Sequence, residues 1–218
     1  MRKAIIFDLD GTLTYTLQDL ADSANYALRR MRWPERSLDE IRQFVGNGVH
    51  KLIERAAPSA FEGRPVEASQ VEACFAHFRR HYLVHCQDHT TLYPGISDLL
   101  TALKERGLMT AIVSNKLQAG VDELYDIFFR GLVDVAIGQR EGMAMKPAPD
   151  MVNLALRQLG VSRDEALYVG DSEVDVATAR NASLPFVAVL WGFRDRDHLV
   201  QAGASAFVDS PLELLALL

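Results

Sequence analysis

Residues 4–7, Ala4-Ile5-Ile6-Phe7, form a continuous apolar run between Arg2-Lys3 and Asp8. A run that short, with two β-branched residues at its centre, suits a strand buried on both faces better than a helix. The period then changes. Leu17, Leu20, Ala21, Ala24, Leu28 and Met31 recur at intervals of three and four, the spacing of one helix face, and Pro34 ends the pattern. Ser37-Leu38-Asp39-Glu40 has the form of a capping box and opens a second helix through Ile41, Phe44 and Val45, which Gly46-Asn47-Gly48 stops. Val49, Leu52, Ile53 and Ala56 make a third helical face, and Val71, Phe75, Phe78 and Tyr82 a fourth. No strand pattern separates them, so an all-helical block is expected from about residue 14 to residue 87.

Beyond Leu92 the two patterns alternate. Tyr93-Pro94-Gly95 reads as a turn, Ile96, Leu99, Leu100 and Leu103 as a helix face, and Gly107 as its C-terminal glycine. Strands are expected at 110–113, 132–137, 166–169 and 186–189, with a short edge strand at 206–208 and helices between them. Strands separated by helices imply right-handed crossovers and a parallel sheet covered on both faces. The expected fold is α/β: a Rossmann-like core from residues 1–13 and 88–218, with the helical block at 14–87 inserted after the first strand as a cap. Ligands of such a sheet bind at the carboxyl ends of its strands, beside that insertion.

Composition narrows the function. The chain has 218 residues, 49% hydrophobic and 24% charged, enough to bury a real core. A formal net charge of −6 gives no general attraction for nucleic acid or an anionic membrane, so an anionic ligand needs cations gathered locally. No run is long enough to span a membrane, and the expected address is the cytosol. Cys74 and Cys86 fall in one helix-like segment without metal or redox spacing and are expected to be reduced thiols.

Four polar clusters stand where strands are expected to end: Asp8 and Asp10; Ser114, Asn115 and Lys116; Lys146 before Pro147; and Gly170-Asp171 with Asp175. Together they supply carboxylates, a hydroxyl or amide and a lysine, the groups that phosphoryl transfer needs. Attack by Asp8 on a phosphate monoester brings like charges together. Each pair about 3.5 Å apart costs roughly 5 kcal/mol at an effective dielectric of about 20. Mg2+ on Asp8 and Asp171, with the Lys146 ammonium on the other side, would offset that repulsion. Ser114 can donate to a phosphate oxygen. Asp10, two residues from Asp8, is the candidate acid for the leaving oxygen and afterwards the base for water. Asn115 is a candidate ligand contact or a turn residue. Gly46-Asn47-Gly48 is a helix-helix turn or a loop that reads the leaving group. His77, His81 and His85 stand four apart on one helix face, but Arg79 and Arg80 between them favour a solvated face over a metal stripe.

These residues resemble the haloacid dehalogenase superfamily. Its phosphatases carry Asp-x-Asp-Gly-Thr, a strand-end Ser or Thr, a lysine and Gly-Asp-x-x-x-Asp. Asp8-Leu9-Asp10-Gly11-Thr12, Ser114, Lys146 and Gly170-Asp171-Ser172-Glu173-Val174-Asp175 match in order. The resemblance implies a Rossmannoid core with a small helical cap, Asp8 as nucleophile and Asp10 as acid and base. It implies Mg2+ held by Asp8, the Asp10 main-chain carbonyl and Asp171, with Asp175 behind them. Phe44-Val45-Gly46-Asn47-Gly48, Tyr93-Pro94-Gly95, Lys146-Pro147-Ala148-Pro149 and Trp191-Gly192-Phe193 look most like the phosphoglycolate phosphatases, which implies 2-phosphoglycolate as substrate. One position departs: Tyr15-Thr16 stands where those enzymes carry Asp followed by Ser or Thr. The motifs leave open a sugar phosphomutase with the same aspartyl-phosphate chemistry, and less readily a non-catalytic module that binds a phosphorylated ligand. A dehalogenase or carbon–phosphorus hydrolase is disfavoured because Asp10 is retained. The expected partner is a small phosphorylated metabolite, with the chain a monomer or homodimer.

Overall fold

The computed structural model describes residues 2–218. In chain order, β1 (Ala4–Phe7) leads to the two-residue strand β2 (Thr14–Tyr15). Four helices follow, α1 (Leu17–Arg30), α2 (Leu38–Phe44), α3 (Val49–Ala56) and α4 (Ala68–His85), with a hairpin of β3 (Ala60–Phe61) and β4 (Arg64–Pro65) before the last of them. Next come β5 (Thr91–Leu92), α5 (Ile96–Glu105), β6 (Met109–Leu117) and α6 (Gln118–Leu124), which runs into a π-helical turn at Tyr125–Phe129. The chain closes with β7 (Val135–Gln139), α7 (Asp150–Leu159), β8 (Ala166–Gly170), α8 (Glu173–Asn181), β9 (Phe186–Val189), α9 (Arg196–Ala202) and β10 (Phe207–Val208). The fold divides into two compact units, 1–15 with 92–218, and 16–91.

The first unit is a six-stranded sheet in the order β10-β9-β8-β1-β6-β7, with every neighbour parallel. From β1 the chain builds outward through β6 and β7, then returns to the other side of β1 for β8, β9 and β10. The reversal falls between β1 and β8, and such a switch point leaves a crevice at the strands' carboxyl ends. β1 is buried throughout because alternate residues feed opposite cores. Ile5 and Phe7 pack with Leu99, Leu100 and Ile112 on one face, and Ala4 and Ile6 with Met151, Val152 and Ala155 on the other.

Two expectations need correction. Strand β6 does not stop at residue 113 but runs to Leu117, so Ser114, Asn115 and Lys116 lie within it. Its pairing with β7 shifts register between Val113 and Leu117, an irregularity that re-aims side chains at the sheet's rim. The inserted segment is also not purely helical. β3 and β4 pair antiparallel around Glu62-Gly63, both at positive φ (50° and 76°), the backbone of a two-residue hairpin turn. Strands of two residues leave no alternation to read.

Within the second unit, α1 packs against α4. Asp19, buried on α1, accepts hydrogen bonds from the main-chain N–H groups of His89 and Thr90 (2.9 Å each) and from Thr90 Oγ1 (2.7 Å). Those donors fasten the segment that follows α4. The rings of Tyr26, His81 and His85 stack in series, with centroids 4.1 and 4.3 Å apart. Burial, then the charges of His85 and Arg29, holds the His81 imidazole below its ordinary pKa. Among the described residues, no helix is long and apolar enough to cross a membrane.

Cys74 and Cys86 are free and buried. Burial pushes the Cys74 thiol up to about 11. Since the thiolate is the reactive form, only about one part in a thousand of Cys74 is reactive at pH 8. Iodoacetamide should therefore label Cys74 slowly at pH 8 in the folded protein and rapidly after denaturation. Equal rates in both states would contradict this burial. In the sheet, Ile112→Ala should cost about 2–5 kcal/mol of stability, read from denaturant unfolding, because it empties space in a core that α5 and β6 fill together.

Candidate active site

The site grows from the loop that leaves β1. Asp8 follows the last residue of the strand, and its Oδ1 accepts from the Leu9 N–H at 2.7 Å. Gly11 takes a left-handed φ of 89°, and its N–H donates to the Thr14 carbonyl, so the chain turns within a few residues. The turn brings Thr12 Oγ1 to 3.1 Å from Asp171 Oδ1. Asp171 comes from the exit of β8, and its Oδ2 accepts from the Phe193 N–H at 2.8 Å.

The loops pack so closely here that side chains are excluded. A Cβ at Gly192 would lie 2.3 Å from Asp171 Cβ and 2.5 Å from the Gly11 carbonyl oxygen. A Cβ at Gly170 would lie 2.4 Å from Asp175 Cγ. Trp191 Nε1 donates to the Thr12 carbonyl at 2.9 Å and ties the late loop to the first one.

Lys146 occupies the centre. Its Nζ lies 2.7 Å from Asp8 Oδ1 and 2.8 Å from Asp175 Oδ1, and it donates to Tyr168 Oη at 3.3 Å. Tyr168 in turn donates to Asp175 Oδ1 at 3.1 Å. The other oxygen of Asp175 accepts from Ser172 N and Oγ, within the capping box that starts α8. Asp175 thus serves a helix terminus and a lysine together. Asn115 grips the Lys146 backbone from both sides: its Nδ2 donates to the Lys146 carbonyl at 3.0 Å and its Oδ1 accepts from the Lys146 N–H at 2.8 Å. Ser114 is buried, and its Oγ accepts from the Lys116 N–H at 3.1 Å. The Lys146–Pro147 peptide is cis.

Electrostatics follow from the crowding. Burial, then the charge of Asp175, raises Asp8 well above the usual carboxylate range, although Lys146 pulls it back. Burial and Asp175 push Asp171 up to about 7 against the donors Phe193 and Thr12. Burial opposes the charge on Lys146, but Asp175 and Asp8 outweigh it and raise the ammonium's pKa well above its ordinary value. Oxygens of Asp8, Asp171 and Asp175 lie within 4.8 Å of one another. Fully ionised, three buried carboxylates against one ammonium would carry an excess of two negative charges, and oxygen donors at this spacing fit a hard divalent cation.

The candidate residues therefore fall in three places. Asp8, Lys146, Asp171 and Asp175 come together directly, Asn115 of β6 holds the Lys146 main chain, and Ser114 precedes it on the same strand. Asp10 meets Lys116, whose Nζ is 3.0 Å from Asp10 Oδ1. Gly46, Asn47 and Gly48 belong to the second unit, where Asn47 Oδ1 accepts from Arg55 at 2.7 Å and Gly48 precedes α3. Tyr168 is an addition: its apolar-strand setting gave no signal, since the pattern counts its ring and not its hydroxyl.

A parallel sheet with switch-point carboxylates and a buried lysine defines a family of hydrolases. The profile of haloacid dehalogenase-like hydrolases matches residues 5–189, and the chain belongs to that family. A phosphoglycolate phosphatase of Rhodobacter capsulatus is 39% identical over 197 residues, covering 89% of this chain and 87% of that protein. One from Rhodospirillum rubrum is 35% identical over 214 residues, with 96% and 88% covered. A solved structure from Lactobacillus delbrueckii subsp. bulgaricus aligns with a TM-score of 0.91 at 38% identity, over 98% of this chain and 97% of that one. With such relatives, the chain is a phosphatase-type hydrolase.

Asn115 generates a test of how the site is held. Asn115→Ala leaves two buried main-chain groups of Lys146 without these partners and should lower stability by about 1–3 kcal/mol in metal-free protein. The loss should appear in thermal unfolding with no ligand added. An unchanged melting temperature would show that the amide does not hold this segment.

Proposed function

We propose that the chain hydrolyses small organic phosphate monoesters, 2-phosphoglycolate first among them, through an aspartyl-phosphate on Asp8. The observation that carries this reading is the buried Lys146, 2.7 Å from Asp8, set among carboxylates that outnumber it. The substrate assignment draws on the relatives of that name.

Asp8 Oδ attacks phosphorus as the bond from phosphorus to the leaving oxygen breaks, and Asp10 gives that oxygen a proton. Lys146 holds Asp8 oriented and carries positive charge beside the transferred group. Ser114 Oγ donates to a phosphate oxygen, and Asn115 keeps Lys146 in place. In the second step Asp10 takes a proton from water, the water oxygen bonds to phosphorus, and the bond between phosphorus and Asp8 breaks to release phosphate. Asp8, the Asp10 main-chain carbonyl and Asp171 would hold Mg2+, with Asp175 behind them. The ion, when bound, neutralises charge on the carboxylates and the phosphate oxygens. Gly46, Asn47 and Gly48 are assigned to substrate selection on their sequence pattern. A small phosphorylated metabolite as partner draws on the phosphatase relatives, and a cytosolic setting completes the proposal.

Asp8→Asn should reduce phosphate release from 2-phosphoglycolate by on the order of a thousandfold or more while leaving the circular dichroism spectrum unchanged. Chelation should silence the wild-type enzyme, and Mg2+ should restore it. Near-normal turnover by Asp8→Asn would overturn the nucleophile. An isomerised sugar phosphate, with no free phosphate, would replace hydrolysis by mutase chemistry.

A further inference from the structure

Asp10 has its own lysine, and we propose that Lys116 is a positioning residue that holds the Asp10 carboxylate where its proton reaches the leaving oxygen. This rests on the reading of Asp10 as acid and base. The Lys116 ammonium lies 3.0 Å from Asp10 Oδ1, with the lysine side chain 1% exposed and the aspartate side chain 17%. Burying an ammonium is costly unless it is paired, and an apolar side chain would fill the same space without that cost. Its retention in a nearly closed position calls for a role.

The surrounding chain is built to put it there. The register shift between Val113 and Leu117 in β6 sets the direction of the residues between them. At Gly138 of β7 a Cβ would come within 2.8 Å of the Lys116 carbonyl oxygen, so the neighbouring strand lies close against this residue only because position 138 has no side chain. A Cβ at Gly120 of α6 would touch Lys116 Cε at 3.4 Å. Lys146 meets Asp8 and Asp175, and Lys116 meets Asp10. The two carboxylates that leave β1 are thus held by different lysines, one within β6 and one in the segment between β7 and α7.

Asp10 stands at the half-open edge of the site, where a carboxylate has several staggered orientations to choose among. An ammonium on one oxygen selects one of them. The other oxygen then carries the proton that passes to the bridging oxygen as the bond from phosphorus to that oxygen breaks and the bond from Asp8 to phosphorus forms. An alkoxide leaving group needs that proton. A nitrophenolate leaves without it.

The experiment compares kcat/KM for an alkyl monoester the wild type turns over, 2-phosphoglycolate first, with kcat/KM for 4-nitrophenyl phosphate. Lys116→Met should lose about 100-fold on the alkyl ester, at least about tenfold more than on the aryl ester. Lys116→Arg should recover part of the loss. In an Asp10→Asn background, Lys116→Met should cost less than about threefold further on the alkyl ester, because the group it acts through is gone. Equal losses on both esters, or losses that add in the double variant, would overturn the proposal in favour of a merely structural lysine. Should Lys116→Met fail to fold, the same ratio measured for Lys116→Arg decides. An Asp10→Asn variant with wild-type kcat/KM on the alkyl ester would overturn the acid assignment itself, a separate result.

Discussion

The contact on which the rest depends is the buried ammonium of Lys146 between Asp8 and Asp175. Without it, three carboxylates would face one another in a setting that excludes water, and the sheet's central loop would have to open or keep its protons. With it, full ionisation of the three would still leave two negative charges in excess. Burial raises Asp8 and holds Asp171 near 7 even though each has donors. Burial is the larger cause for the two carboxylates, with the charge of Asp175 adding to it, whereas the lysine is raised against burial by the charges of Asp175 and Asp8. A dication equals the excess, so affinity for a metal follows from charge and oxygen spacing before any mechanism is written. The site is in this sense poorly satisfied as a folded structure alone. The two cores on the faces of β1 supply the stability that such a cluster removes.

Holding that cluster requires that backbone approach side chain more closely than most residues allow. Gly192 and Gly11 admit Asp171 between two loops, and Gly170 admits Asp175 against the end of β8. These glycines are therefore distance constraints on carboxylates. Asn115 in turn engages the Lys146 main chain with both ends of its amide. A lysine at the tip of a loop could wander. Two hydrogen bonds between the Asn115 side chain on β6 and the peptide groups of Lys146, one donated and one accepted, bring the lysine's backbone, and with it the ammonium, into register with β6.

Much of this was legible in the sequence where residue type and period carry the information. The apolar run at 4–7 could be read as a doubly covered strand because each of its residues has a core to enter. The helix faces were visible for the same reason. Other features were illegible for physical reasons. β3 and β4 are too short to show a period, and their turn rests on Glu62 at positive φ, which composition does not announce. The extension of β6 through Lys116 depends on a register shift, which is a property of the partner strand as much as of β6. Lys116 and Tyr168 were present in plain letters, but the lysine's partner Asp10 lies 106 residues away, and the tyrosine's hydroxyl meets Lys146, 22 residues away, as well as Asp175 on the following helix. Pattern within a window cannot see them.

Tyr15 packs where the chain leaves the loop that carries Asp8 and Asp10. Its ring meets Tyr93 edge-on with centroids 5.9 Å apart, and both residues belong to the first unit. Nearby, the Tyr93 N–H donates to the Leu13 carbonyl at 3.1 Å, and β2 pairs with β5. The chain is thus clamped where it leaves the sheet's loop and again where it returns. Asp10 sits just before this clamp, bridged to Thr14, and its carboxylate is held by Lys116 from β6. An aromatic residue at position 15 therefore has a packing role that an acidic side chain could not fill as well, and that role lies outside the contacts made by Asp8 and Asp10. The departure from the family pattern thus falls on the Tyr15–Tyr93 contact.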